Sequence, residues 1–311
     1  MRYAFDPELL SLIDVLPVAD LTMSVHDRRA TSAAMFAALN ADVDTDGVDI
    51  TDHEIPAQVR LYSPAHLPAP LPTLLDIHGG GFVTGSIAMQ HAFAVKAVRT
   101  LGIQVALVEY RLAPENPFPA GLEDCYAALC WLHDEAAALG VDRHRIAVGG
   151  QSAGGGLAAA TVLLARDRET PPVCFQYLGI PELDHRLDTP SMRAFVDTPL
   201  WSRPQGEASW RDYLGPDTTS VSPYASPAVA SDLSGLPPAY VTTMEFDPLR
   251  DEGITYALRM LQAGVSVELH SFPGTFHGST IATSAAVSRR ANAELLVALS
   301  RGLGVPHEPP R

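Results

Sequence analysis

Three residue types in this chain are set where they could do covalent chemistry: a serine in a glycine turn, a histidine beside glycines and a carboxylate before a proline. Ser152 lies in Gly150-Gln151-Ser152-Ala153-Gly154, where the β-run Arg145 to Gly149 gives way to an Ala- and Leu-rich helical run from Gly155 to Arg166. A strand, sharp turn and helix of this kind hold a serine in a strained backbone conformation that only small neighbours permit, with its hydroxyl above the sheet. The N–H groups that open the following helix face the same space and can stabilise charge developing on a substrate oxygen. The pentapeptide alone is common enough to prove little. A second cluster, His78-Gly79-Gly80-Gly81, follows the apolar run Leu74-Leu75-Asp76-Ile77, and the two together form a specific signal.

A serine hydroxyl is a poor nucleophile until a base removes its proton, and the usual base is a neutral histidine held by a carboxylate. In α/β-hydrolases the chain order is serine, acid, histidine. Beyond Ser152 stand His185, His270, His277 and His307. His277, just after a strand and flanked by Gly274 and Gly278, is the preferred base, with a structural loop histidine as the alternative. His270 falls inside a strand pattern, His185 in a presumed covering segment and His307 in a proline-ended tail. Asp247 leads as the acid because it follows a strand and precedes Pro248. Glu245 is still near the strand end, and Asp251 and Glu252 occupy a helical first turn, where carboxylates favour the dipole without catalytic duty. A base must be neutral, so kcat/KM is expected to fall as pH drops below roughly 6 to 7.

The elements that must position these groups follow from periodicity. Residues 6 to 39 read as helical, interrupted by Pro17, with an apolar stripe (Leu9, Leu10, Leu12, Ile13, then Met35, Phe36, Leu39) that needs something to cover. Val48 to Tyr62 alternates as an antiparallel edge strand or hairpin, and Ser63 to Pro72, with four prolines, reads as a surface loop. Then strands and helices alternate: strand 73–77, helix 88–101, strand 105–109, helix 122–139, strand 146–148, strand 174–178. After a long segment without strand pattern from Pro181 to Leu214 come strand 239–243, a helix to Ala263, strand 267–272, a loop over 273–278 and a final helix. Continuously apolar strands separated by helices mean a parallel sheet covered on both faces, with ligands at the strands' carboxyl ends. Both glycine clusters lie at such ends.

The 311 residues carry 36 acidic against 21 basic side chains, a formal charge of −15 with no basic run, which argues against nucleic acid or an anionic membrane surface as partner. No apolar run reaches the roughly eighteen residues of a membrane span, and the N-terminus lacks a signal-peptide pattern, so a cytoplasmic chain is expected. Cys125, Cys130 and Cys174 read as buried reduced thiols. No His or Cys pair has metal-ligand spacing, and no metal or cofactor is expected.

Taken together, His78-Gly79-Gly80-Gly81-Phe82, Tyr110-Arg111-Leu112-Ala113-Pro114-Glu115, Gly150 to Gly155, Asp247-Pro248-Leu249-Arg250-Asp251-Glu252 and His277-Gly278 resemble the bacterial hormone-sensitive lipase-like esterases, from about residue 60 to the end. The resemblance implies an α/β-hydrolase fold with a mostly parallel eight-stranded sheet and a helical cap. It divides the chain into the N-terminal part of the cap (1–45), a first part of the catalytic domain (46–180), a cap insertion (181–214) and the second part of the catalytic domain (215–311). It makes Ser152 the nucleophile, His277 the base and Asp247 the orienting acid, with the N–H groups of Gly80, Gly81 and Ala153 as oxyanion hole.

The implied reaction is hydrolysis of short, acetyl-type esters, with aryl or polycyclic alcohols among the candidates and a homodimer through an edge strand as a family-level expectation. Phe82 and Trp201 are candidate pocket residues, with core or cap packing as their alternative. Gln151 and Glu109 stand where many relatives have Asp, so the support of the turn around Ser152 is expected to differ. Amide or carbamate hydrolysis by the same residues, and ligand binding without catalysis, are the competing functions.

Overall fold

The computed structural model describes residues 3–16, 20–216 and 219–306. Pro17 and His307 lie outside these residues. A short 3-10 turn, Pro7–Leu9, leads into α1 (Leu10–Ile13), and α2 (Val25–Asn40) begins at Ser24, whose hydroxyl oxygen accepts the Asp27 N–H. The expected apolar stripe is not buried as one surface. Leu9 packs with Phe276 and Ala285, whereas α2 buries no residue and Leu39 is exposed. Most apolar residues of α2 are alanines spread around the helix, so no face is apolar enough to be driven into the core. Its anchor is polar instead: the Arg29 guanidinium donates to the carbonyls of Val83 and Ala113 and to the Glu115 carboxylate.

β1 (Val48–Glu54) and β2 (Gln58–Pro64) form the expected antiparallel hairpin, and β3 (Leu71–Ile77) starts earlier than its proline-rich lead suggested. The alternation then runs α3 (His91–Leu101), β4 (Gln104–Glu109), α4 (Ala120–Asp134), α5 (Ala136–Leu139), β5 (Val141–Gln151), α6 (Ala153–Asp167) and β6 (Phe175–Gly179). It continues with α7 (Pro190–Ala194), α8 (Arg203–Leu214), β7 (Ala239–Phe246), α9 (Arg250–Gln262), β8 (Val267–Phe276) and α10 (Ala286–Gly302). The single helix expected over 122–139 is two, because Glu135 leaves helical geometry at φ −93°, ψ 13°.

The eight strands form one sheet in the order β1-β2-β4-β3-β5-β6-β7-β8. The hairpin pairs antiparallel onto β4, and every other pairing is parallel. Alternation along each strand divides the core. Leu75, Ile77 and Val148 face α4, α6 and α9, while Leu74, Leu107, Ala147 and Tyr177 face α3 and α10. Each fully buried Leu or Ile contributes roughly 1.5–3 kcal/mol relative to exposure, so the central strands act as a rigid platform. Cys125 is buried, but Cys130 and Cys174 are only half-buried, and all three are free thiols. Among the described residues no helix is long and apolar enough to cross a membrane.

Candidate active site

The platform delivers its functional groups where β3, β5, β7 and β8 end. β5 passes directly into α6 through Ser152, whose backbone is strained at φ 58°, ψ −125°. Such a conformation costs of order 1–3 kcal/mol, and fixed hydrogen bonds hold it. The Ser152 N–H donates to the Gly179 carbonyl (2.8 Å), and its carbonyl accepts the N–H groups of Gly156 and Glu182 (each 3.0 Å). Gly154 shows why the turn admits no side chain: a Cβ there would lie 2.0 Å from the Ile77 carbonyl oxygen of β3. Gln151 lines a small pocket with Tyr177, Thr242 and Asn292.

β8 runs through Phe276, beyond the end at 272 read from its sequence, so His277 follows a strand directly rather than standing in a long loop. His277 Nε2 lies 2.9 Å from Ser152 Oγ, and Nδ1 lies 2.7 Å from Asp247 Oδ2. Asp247, one residue past β7, is fully buried, and Ser152 and His277 are each 7% exposed. The other Asp247 oxygen, Oδ1, accepts the Leu249 N–H at 2.9 Å. A carboxylate accepting at Nδ1 leaves Nε2 as the acceptor for a hydroxyl proton.

The competing residues are held elsewhere. Glu245 accepts the Gly274 N–H, Asp251 the Ser191 N–H and Glu252 the N–H groups of Leu183 and Asp184. His270 contacts Glu294 and Glu268, and His185 contacts Ser226. Among the described residues no group of three or more His, Cys, Asp or Glu side chains is placed to hold a metal ion.

The glycine loop after β3 closes against the serine turn; a Cβ on Gly79 would be 3.4 Å from Ser152 Cβ. Gly80 and Gly81 have φ of 116° and 58°. Both are required by the loop's own surroundings: added Cβ atoms would meet the Thr84 carbonyl oxygen at 2.2 Å and the Trp201 ring at 2.7 Å. His78 is buried and stacks on Tyr110 at 4.2 Å, with Nδ1 2.8 Å from the Gly79 carbonyl. Burial pushes its pKa down to about 4, so it stays neutral and hydrogen-bonded to its own loop.

The two candidate pocket residues differ in setting. Phe82 is 2% exposed and stacks on Tyr213, ring centroids 4.0 Å apart. Trp201 is half-buried, with its ring against Gly81 and 5.7 Å from that of His277. Two neighbours were not anticipated. Ser209 on α8 donates to the Gly81 carbonyl at 2.9 Å. Beside it the Glu182 carboxyl is fully buried, with the Ser209 hydroxyl as its neighbouring polar group but no well-aligned hydrogen bond, and burial pushes its pKa up to about 8. Glu182 had a faint signal, an acid between Pro181 and Leu183 with Asp184 just beyond; Ser209 had none.

The chain matches the alpha/beta hydrolase fold family over residues 74–281. It is 39% identical to carboxylesterase NlhH of Mycobacterium tuberculosis, with 97% of each chain covered. It is 36% identical to ethyl acetate hydrolase of Pseudomonas putida over 72% of this chain and 71% of that one. Among solved structures, a bacterial heroin esterase superposes with a TM-score of 0.94 at 54% identity, covering 96% of this chain and 98% of the other. With its sheet order, its serine turn and these likenesses, the chain belongs to the α/β hydrolase fold family, in its hormone-sensitive lipase-like branch.

Proposed function

We propose that this protein is a serine carboxylesterase acting on short-chain, acetyl-type esters. The observation that carries the reading is the hydrogen-bonded line from Asp247 through His277 to Ser152, set against the glycine loop at the strand ends. Relatives named carboxylesterase and ethyl acetate hydrolase favour an ester over an amide or carbamate.

In the reaction His277 Nε2 takes the Ser152 proton as Oγ attacks the ester carbonyl, and the N–H groups of Gly80, Gly81 and Ala153 receive the negative oxygen. His277 then returns the proton to the leaving alcohol oxygen as its bond to the acyl carbon breaks. Water attacks the acyl-enzyme with His277 again as base, which frees the acid and restores Ser152. Asp247 keeps the imidazole in the productive tautomer and stabilises the imidazolium.

Residues 1–45 and 181–214 act as a cap in this reading, and Trp201 of the second segment shortens the acyl pocket. The protein works on small molecules in the cytoplasm, without cofactor, and dimerises through an edge strand. Hydrolysis of a p-nitrophenyl ester series, from acetate to laurate, tests the reading against Ser152→Ala. Acetate or butyrate should be turned over fastest and the variant should be inactive. A wild type inactive on every chain length contradicts it.

A further inference from the structure

One face of α8 holds the glycine loop at two successive residues. Ser209 Oγ donates to the Gly81 carbonyl at 2.9 Å, Trp210 lies against Phe82 with ring centroids 5.5 Å apart, and Tyr213 stacks on the same ring at 4.0 Å. Positions 209, 210 and 213 share a helix face. Trp201, just before α8, presses its six-membered ring against Gly81. The grip continues past the loop, because the Tyr213 carbonyl accepts the Phe118 N–H at 2.8 Å.

The gripped residues are those least able to fix themselves. Gly81 and Phe82 both adopt left-handed backbone conformations, with φ of 58° and 60°. Gly81 has no side chain to restrain it, and without a partner on its carbonyl the peptide that follows could rotate. The Gly81 N–H, one of the three donors assigned to the oxyanion, sits in the preceding peptide and is joined to this one only through the Gly81 Cα, so a loosened carbonyl lets the φ and ψ of Gly81 change together and the N–H lose its aim. A donor stabilises a transition state only if it is already aimed when charge develops.

We propose that Ser209 is a positioning residue: its hydrogen bond to the Gly81 carbonyl orients the oxyanion loop, so that α8 and the oxyanion donors assemble as one unit. The inference rests on the esterase reading above. Ser209 has one hydrogen to give, and the buried Glu182 carboxyl beside it is the competing acceptor. The geometry gives that hydrogen to Gly81, at 2.9 Å, and a protonated Glu182 carboxyl, which burial favours, can donate its own proton to Ser209 Oγ without competing for it. A hydroxyl 4% exposed, on a helix of the covering segment and aimed at a loop carbonyl, serves no packing need that alanine would not meet.

The test compares wild type, Ser209→Ala and Ser209→Thr on p-nitrophenyl acetate, with kcat and KM separated. Inhibition by an aryl trifluoromethyl ketone, which a serine enzyme captures as an anionic hemiketal, gives a second readout. Complete loss of an oxyanion donor costs about 10²–10³ in kcat, so a misaimed donor in Ser209→Ala should cost about tenfold or more, with KM within about twofold. The ketone should weaken by the same factor, and Ser209→Thr, which keeps the hydroxyl, should recover most of both. If Ser209→Ala fails to fold, Ser209→Cys preserves volume with a weak donor and should show the same split. Unchanged kcat and ketone affinity with only a lower Tm, or a Thr variant as poor as Ala, overturns the proposal. A wild type inactive on esters overturns the esterase reading and this inference with it; an active wild type with an unaffected Ser209→Ala overturns this inference alone.

Discussion

Asp247 meets His277 with one carboxylate oxygen and its own loop with the other: Oδ2 lies 2.7 Å from Nδ1, and Oδ1 accepts the Leu249 N–H at 2.9 Å. The two residues are 30 positions apart but leave neighbouring strands, β7 and β8, at the same end of the sheet. An amide cannot satisfy both partners in the same way. Asp247→Asn should therefore favour the wrong imidazole tautomer and lower kcat by about 10³–10⁴ with little change in KM. Steady-state kinetics on p-nitrophenyl acetate checks this, and a variant within tenfold of wild type would remove Asp247 from its assigned role.

Trp201 stands between the glycine loop and the histidine, its ring against Gly81 and 5.7 Å from His277. Trp201→Ala should widen the acyl range. Each added methylene accommodated in an apolar pocket is worth about 1–3 kcal/mol, so the octanoate-to-acetate ratio of kcat/KM should rise by about tenfold or more. An unchanged ratio would make Trp201 a packing residue only.

Gly154 has no room for a methyl group, since its Cβ would fall 2.0 Å from a carbonyl oxygen of β3. The obstacle is backbone in the middle of the sheet, which cannot yield cheaply. Gly154→Ala should destabilise the protein by about 1–3 kcal/mol or more, read as a lowered urea midpoint, and should depress activity even where the protein remains folded. A midpoint equal to wild type would mean that helix and strand are less tightly pressed than described.

Asp76 is buried on β3 near the Gln90 amide, with no well-aligned hydrogen bond to either carboxyl oxygen, and burial outweighs that amide and pushes its pKa from 3.8 up to about 8. Between those values the folded protein holds a proton that the unfolded chain releases, so this group's contribution to stability falls as pH rises from about 4 towards 8. Asp76→Asn removes that dependence. The variant's Tm relative to wild type should climb across the same window, and a difference that stays flat with pH would contradict the assignment.

Much of this was legible in the sequence because the groups are punctuated by residues with narrow conformational meaning. Glycines around Ser152, the proline after Asp247 and the glycine after His277 mark strand ends, and strand ends of a parallel sheet converge on one edge. Apolar continuity in β3, β4 and β5 gave the sheet for the same reason. Other features depend on what a segment packs against. The stripe in α2 looked buried from its Met and Phe residues, but its alanines leave no driving force for burial. Ser209 has no local signature at all, since its meaning lies in a contact with Gly81, 128 residues away. Asp76 and Glu182 were visible as acids with apolar neighbours, but only the fold shows that each is fully buried with no cation beside it and only a neutral side chain, Gln90 or Ser209, near its carboxyl.

The central claim is that Ser152 is the nucleophile, activated by His277. Treating wild type, Ser152→Ala and His277→Ala with a fluorophosphonate and following intact mass with peptide mapping tests it most directly. The account predicts a single adduct on the peptide containing Ser152 in wild type, none in Ser152→Ala and labelling slowed by at least about a hundredfold in His277→Ala. A wild type that forms no adduct, or one labelled at another residue, would contradict it.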